Sequence, residues 1–163
     1  MKVIFLDIDG VLNKYNTTDV CDGYIGIEDA KVLLLKQVVD ATAAEIVLSS
    51  TWRLGYNYSG HSLKNHYKYL TNKLNKCDLK IYDKTEDLSR KGTARGHEIY
   101  KWLSDHPEVE QWVVLDDEWF VDFSNYGILP HWVHTNFYRE GLTEEHVKKA
   151  INILNGELNH EFE

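Results

Sequence analysis

Short apolar runs alternate with amphipathic stretches along the whole chain, and that alternation leaves few folds open. KVIFL at 2–6, EIVLS at 45–49, LKIY at 79–82, QWVVL at 111–115 and HWVHT at 131–135 each have the length and composition of a strand. Between them the apolar period lengthens. Val32, Leu35, Val38 and Val39 predict a helix over 28–44, and a second helix is predicted over 62–75. Thr93 is the expected cap of a third, running to about Asp105 with Ile99, Trp102 and Leu103 on one face. In the last helix Thr143 is the expected N-cap, and Glu144 and Glu145 complement the dipole. Val147, Ala150, Ile151 and Leu154 form its stripe, and Gly156 ends it. Strands alternating with helices predict a doubly wound, Rossmann-like α/β fold, a parallel sheet with helices on both faces. There is no repeat, no low-complexity tract and no Pro/Gly-rich linker, and Pro107 and Pro130 both sit between elements. The expectation is a single domain over residues 1–163.

Such a sheet places ligands at the carboxyl ends of its strands, where the strand order reverses. The residues there are unusually polar. Asp7 and Asp9 follow the first strand, Ser49 and Ser50 end the second, and Asp116 and Asp117 follow the fourth. Lys91 and Arg95 precede the third helix on the same edge. Gly10, directly after Asp9, permits a positive φ and a close backbone approach to a ligand. Two neighbouring carboxylates need a shared proton or a cation. Four carboxylates with no Cys or His among them call for a hard cation, and Mg²⁺ suits them. A hydroxyl and a cation beside them would hold phosphate oxygens, one carboxylate could attack phosphorus, and a second could shuttle the proton.

Composition excludes several other classes. Cys21 and Cys77 are far apart and lack ligand spacing, so they read as reduced thiols. The apolar N-terminal run is broken by Asp7 and Asp9, unlike a signal sequence, and no stretch is long enough to span a membrane. A cytoplasmic location with no membrane partner is expected. A net charge of −8 argues against a general duplex-binding face, though it allows a few local cations to bind one phosphorylated end.

VIFLDIDGVL resembles the first signature of the haloacid dehalogenase (HAD) superfamily, whose phosphatase members carry Asp-x-Asp there. The similarity continues in the family's order through IVLSSTWR, RKGTARGHEIYKWL and VVLDDEWF. GLTEEHVKKAINIL is similar to the closing helix of small capless members. The resemblance implies that Asp7 is the nucleophile and Asp9 the general acid/base of a phosphate monoester hydrolase working through an aspartyl-phosphate. It also implies that Asp7, the Asp9 carbonyl and Asp116 ligate Mg²⁺, with Asp117 beside them or acting through water. Ser49 or Ser50 would hold the phosphate, and Arg95 or Lys91 would fill the basic position.

Only about 40 residues separate Asp9 from Ser49, and about as many separate Arg53 from Arg95, so neither gap has room for a large cap. An open site suits a phosphate on a bulky molecule: a nucleic-acid end, a nucleotide or a protein side chain. Trp52 and Arg53 follow a catalytic strand end closely enough to reach substrate, although a surface salt bridge suits Arg53 equally. Trp119 is placed like Trp52, whereas Trp102 and Trp112 fit core positions. The loops at 14–26, 53–61 and 118–127 supply further aromatics, among them Tyr15, Tyr24, Tyr56 and Phe120. HWVH at 131–134 reads as strand alternation rather than metal ligation. Two rival classes share these groups. One is a phosphoryl-accepting module resembling a response-regulator receiver, with Asp83 as acceptor; the other is a catalytically silent phosphate-binding module. Repeated turnover separates both from a phosphatase.

Overall fold

The structure, a computed structural model, describes residues 1–55, 62–88 and 94–161. Five parallel strands form the central sheet: β1 (Lys2–Leu6), β4 (Glu45–Leu48), β5 (Ile81–Lys84), β6 (Gln111–Asp116) and β7 (Trp132–His134). Their order is β5-β4-β1-β6-β7. The chain winds outward from β1 to one edge, returns to pair β6 against β1, and continues to the other edge. The order therefore reverses at β1, and the ends of β1, β4 and β6 frame the crevice this fold uses for ligands.

Side chains alternate across the sheet with period two and divide the core in two. Ile4, Leu6, Ile46, Leu48, Val113 and Leu115 face the helices α1 (Asp29–Thr42), α2 (His66–Asn75) and α4 (Glu144–Leu154). Val3, Phe5, Val47 and Val114 face α3 (Arg95–Asp105) and the segment carrying Phe123, Ile128 and Trp132. Burial on both faces explains why the strands read as continuous apolar runs. No helix among the described residues is long and apolar enough to cross a membrane.

Several boundaries differ from the sequence expectation, each for a local reason. The strand expected at 79–82 forms at 81–84, because Asp78 takes a left-handed turn (φ 56°) after α2 and Leu79 N–H still bonds back to Leu74. Helix α2 starts at His66 rather than at 62. Thr93, the expected cap of α3, lies outside the described residues. The N–H groups of Gly96 and His97 are instead held by the two carboxylate oxygens of Asp122, at 3.1 and 2.9 Å. A long-range carboxylate thus caps α3 and complements its dipole. Helix α4 does begin at Thr143, in a reciprocal capping box with His146, but its buried stripe uses Ile153, with Ile151 only partly buried. A small hairpin, β2 (Val20–Cys21) and β3 (Tyr24–Ile25), was not foreseen. Its turn residues Asp22 and Gly23 both have positive φ, 51° and 81°, as a type I′ hairpin requires.

Candidate active site

Asp7 extends β1 by one ladder bond, its N–H donating to Leu115 O at 3.0 Å, and its side chain is buried at the crevice floor. The chain must then turn sharply. Gly10 has φ 80°, and a Cβ there would lie 2.3 Å from the Asp117 carboxyl carbon, so only glycine lets this turn and Asp117 coexist. Asp116 ends β6 fully buried, accepting from Glu118 N–H at 3.0 Å. Asp7, Asp116 and Asp117 each present an oxygen within 4.8 Å of the others. Arg95, the first residue of α3, reaches into this group with Nη1 3.1 Å from Asp7 Oδ1 and bonded to Asp116 Oδ2. Its guanidinium also lies 4.7 Å from the Phe120 ring centroid.

One guanidinium cannot balance three carboxylates. Burial, followed by the Asp7 charge, raises the pKa of Asp117 to about 7. Burial and Asp7 push Asp116 upward too, against the pull of Arg95. Three hard oxygen donors in a buried group with excess negative charge fit a divalent cation such as Mg²⁺.

Asp9 stands apart from that group. Its Oδ1 accepts from Asn13 Nδ2 at 2.8 Å and its Oδ2 from Trp52 Nε1 at 2.9 Å. Asn13 is itself fully buried; it accepts from Gly10 N–H at 2.9 Å and donates to Gly26 O at 2.8 Å. Asp9 faces the open crevice, yet the surrounding walls thin its hydration. That desolvation and the nearby Asp7 charge raise its pKa, while Asn13 and Trp52 oppose the rise and exposure limits it.

The crevice has a volume of about 540 Å³. Beyond the acidic floor its wall is largely aromatic: Tyr24, Trp52, His66, Phe120 and Phe137. Of three consecutive hydroxyl residues only Thr51 lines it. Ser49 and Ser50 are buried beneath, because Ser49 N–H continues the ladder to Leu6 O and Ser50 Oγ accepts from Trp52 N–H in a short 3₁₀ turn. Arg53, expected at substrate or on the surface, does neither. It is buried against Glu98 at 2.7 Å and donates to the carbonyls of Ser49, Ser50 and Thr85, tying β4, β5 and α3 together. Trp52 does face the crevice, but as the donor that orients Asp9. Trp119 packs edge-on against Trp132, and neither it nor Tyr15 lines the crevice. Lys91 and Tyr56 lie outside the described residues. Asp83, the acceptor required by a receiver-like reading, sits within β5 and accepts from Trp102 Nε1 at 2.7 Å, away from the acidic group.

A family model described as the HAD domain in Swiss Army Knife RNA repair proteins matches residues 3–147. The chain belongs to that family. Comparisons with curated proteins and with solved structures returned no match. HAD membership makes the chain a phosphatase-type hydrolase, in line with the capless parallel sheet and the acidic group at its switch point. Residues that the sequence reading of this HAD domain missed are Asn13, Thr51, His66, Phe137 and Asp122. Asn13 carried one usable signal, an amide four residues after Asp9 on the same turn; Thr51 directly follows Ser49 and Ser50, and His66, Phe137 and Asp122 arrive from distant segments.

Proposed function

We propose that this domain hydrolyses a terminal phosphate monoester of a nucleic-acid strand, with RNA favoured by the family's description. The observation that carries the reading is the separation of two carboxylates only two residues apart. Asp7 belongs to the buried anionic group with Arg95, whereas Asp9 is held aside by Asn13 and Trp52 with a raised pKa. Two neighbouring carboxyls in different environments take different roles.

An Asp7 oxygen attacks phosphorus, the ester P–O bond breaks, and the Asp9 proton passes to the departing oxygen. Asp9, now a carboxylate, removes a proton from water; the water oxygen attacks phosphorus, the bond to Asp7 breaks, and inorganic phosphate leaves. Arg95, between Asp7 and Asp116, is placed to hold non-reacting phosphate oxygens, and Thr51 offers a hydroxyl from the wall. Mg²⁺ held by Asp7, Asp116 and Asp117 would supply charge neutralisation for the phosphate. Tyr24, Phe120 and Phe137, the less buried rings of the wall, offer surfaces for a terminal base.

Turnover on a panel of 5′- and 3′-phosphorylated RNA and DNA oligomers, nucleotides, sugar phosphates and phosphopeptides tests the reading. Hydrolysis lost on EDTA treatment, restored by Mg²⁺ and fastest on oligomer ends supports it. Small metabolite phosphates outperforming every oligomer would refute the substrate class.

A further inference from the structure

Where the β2–β3 hairpin meets the start of α2, a second cluster takes no step in the proposed phosphate chemistry. Cys21 of β2, Asp22 at the hairpin tip and His66 at the start of α2 present ligand atoms within 4.8 Å of one another. We propose that Cys21, Asp22 and His66 form a zinc-class metal site that pins the β2–β3 hairpin to α2 and so fixes one wall of the crevice.

Three observations support it. The donor set is S, N and O, which selects a borderline cation such as Zn²⁺ rather than the Mg²⁺ suited to the all-oxygen group at Asp7. The His66 ring is only 1% exposed and its Nδ1 makes no hydrogen bond, an unsatisfied polar atom of the kind folded chains rarely bury. The Asp22 carboxylate is already oriented, accepting from Asn65 Nδ2 at 2.9 Å, as supporting partners of metal ligands do. The ring is clamped as well, edge-on to Trp52 at 4.7 Å and to Tyr24 at 5.7 Å.

Ligand atoms around tetrahedral zinc lie roughly 3.5 Å apart, so separations within 4.8 Å leave at most about an ångström to close. The fourth position is left for water. Burial, Asp22 and Asp19 hold the Cys21 thiol in its protonated form, so binding forms the metal–sulfur bond and releases that proton to solvent.

The site is distinct from the phosphatase centre, and its test reads metal ligation rather than turnover. Metal-free full-length protein is titrated with Co²⁺ and followed by near-ultraviolet thiolate-to-cobalt absorption, which oxygen ligands cannot produce. One equivalent should give the band, Zn²⁺ should displace it, and it should survive Cys77→Ser but vanish in Cys21→Ser. Asp22→Asn, which tolerates the left-handed turn conformation (φ 51°) and removes only the charge, should keep the fold by circular dichroism and weaken cobalt binding by at least about tenfold, the loss that removing even a ligand's supporting partner brings. No band, a band that survives Cys21→Ser, or unchanged affinity in Asp22→Asn would overturn the proposal and leave the Asp7 reading untouched.

Discussion

Asp9 shows how much a single carboxylate depends on its neighbours. Its two oxygens are held by Asn13 and Trp52, and both donors keep it clear of the Asp7 group. Trp52→Phe keeps the ring against His66 but removes the N–H. It should lower kcat by about tenfold or more on alkyl phosphates, where the leaving oxygen needs a proton, and far less on an aryl phosphate. Equal losses on the two substrates would show that Trp52 does not act through Asp9. Asp117 gives a second prediction, in stability. Its folded pKa of about 7 lies above the ordinary carboxylate value of 3.8, so the fold binds this proton more tightly than the unfolded chain does. The metal-free fold therefore loses stability as pH rises from about 4 through about 7. Asp117→Asn should melt above metal-free wild type at pH 8, with the gap closing toward pH 4, and Mg²⁺ should raise wild type in the same high-pH range. A gap independent of pH would remove the Asp117 charge as its cause. Asp7, Asp9, Asp116 and Asp117 were legible as residues because each follows an apolar run. Which hydroxyl faces the crevice was not. Three hydroxyls in sequence leave the register of a strand end open, and folding turns Ser49 and Ser50 inward and Thr51 to the crevice.

Elements were legible where local chemistry decides them. Strand β1 and helix α4 stand where the apolar period and the Thr143 cap put them. Helix α3 shows the limit, since its cap, Asp122, comes from 26 residues away and no local pattern announces it. Arg95 is the first residue of that helix, so the cap also positions the guanidinium. Asp122→Ala should destabilise the fold by about 0.5–2 kcal/mol. It should also raise KM for the phosphate ester, which thermal melts and steady-state kinetics would read together. A stability loss with unchanged KM would confine Asp122 to capping. Arg53 was misplaced for a related reason: its partners, Glu98 and the carbonyls of Ser49, Ser50 and Thr85, gather only in the folded chain.

For the whole molecule, the switch point between β1 and β6 unites groups more than 100 residues apart, Asp7 and Asp116 among them. That placement followed from the strand–helix alternation, which explains why the site was largely readable once the sheet was. The aromatic wall was less so, because His66 and Phe137 belong to segments with no motif. The wall predicts faster hydrolysis of a phosphorylated oligomer than of its mononucleotide. The net charge of −8 predicts that this advantage varies little with salt, since few phosphates are contacted. A length series at two ionic strengths checks both, and a steep salt dependence would point to an extended strand track instead. The central claim, attack by Asp7, has a more direct test. Wild-type protein, Asp7→Asn and Asp9→Asn are mixed with Mg²⁺ and a labelled aryl phosphate, quenched in acid and digested. Asp9→Asn should accumulate phosphoenzyme, with the label on the peptide containing Asp7, and Asp7→Asn should hold none. Turnover by Asp7→Asn, or label on any other residue, would contradict the account.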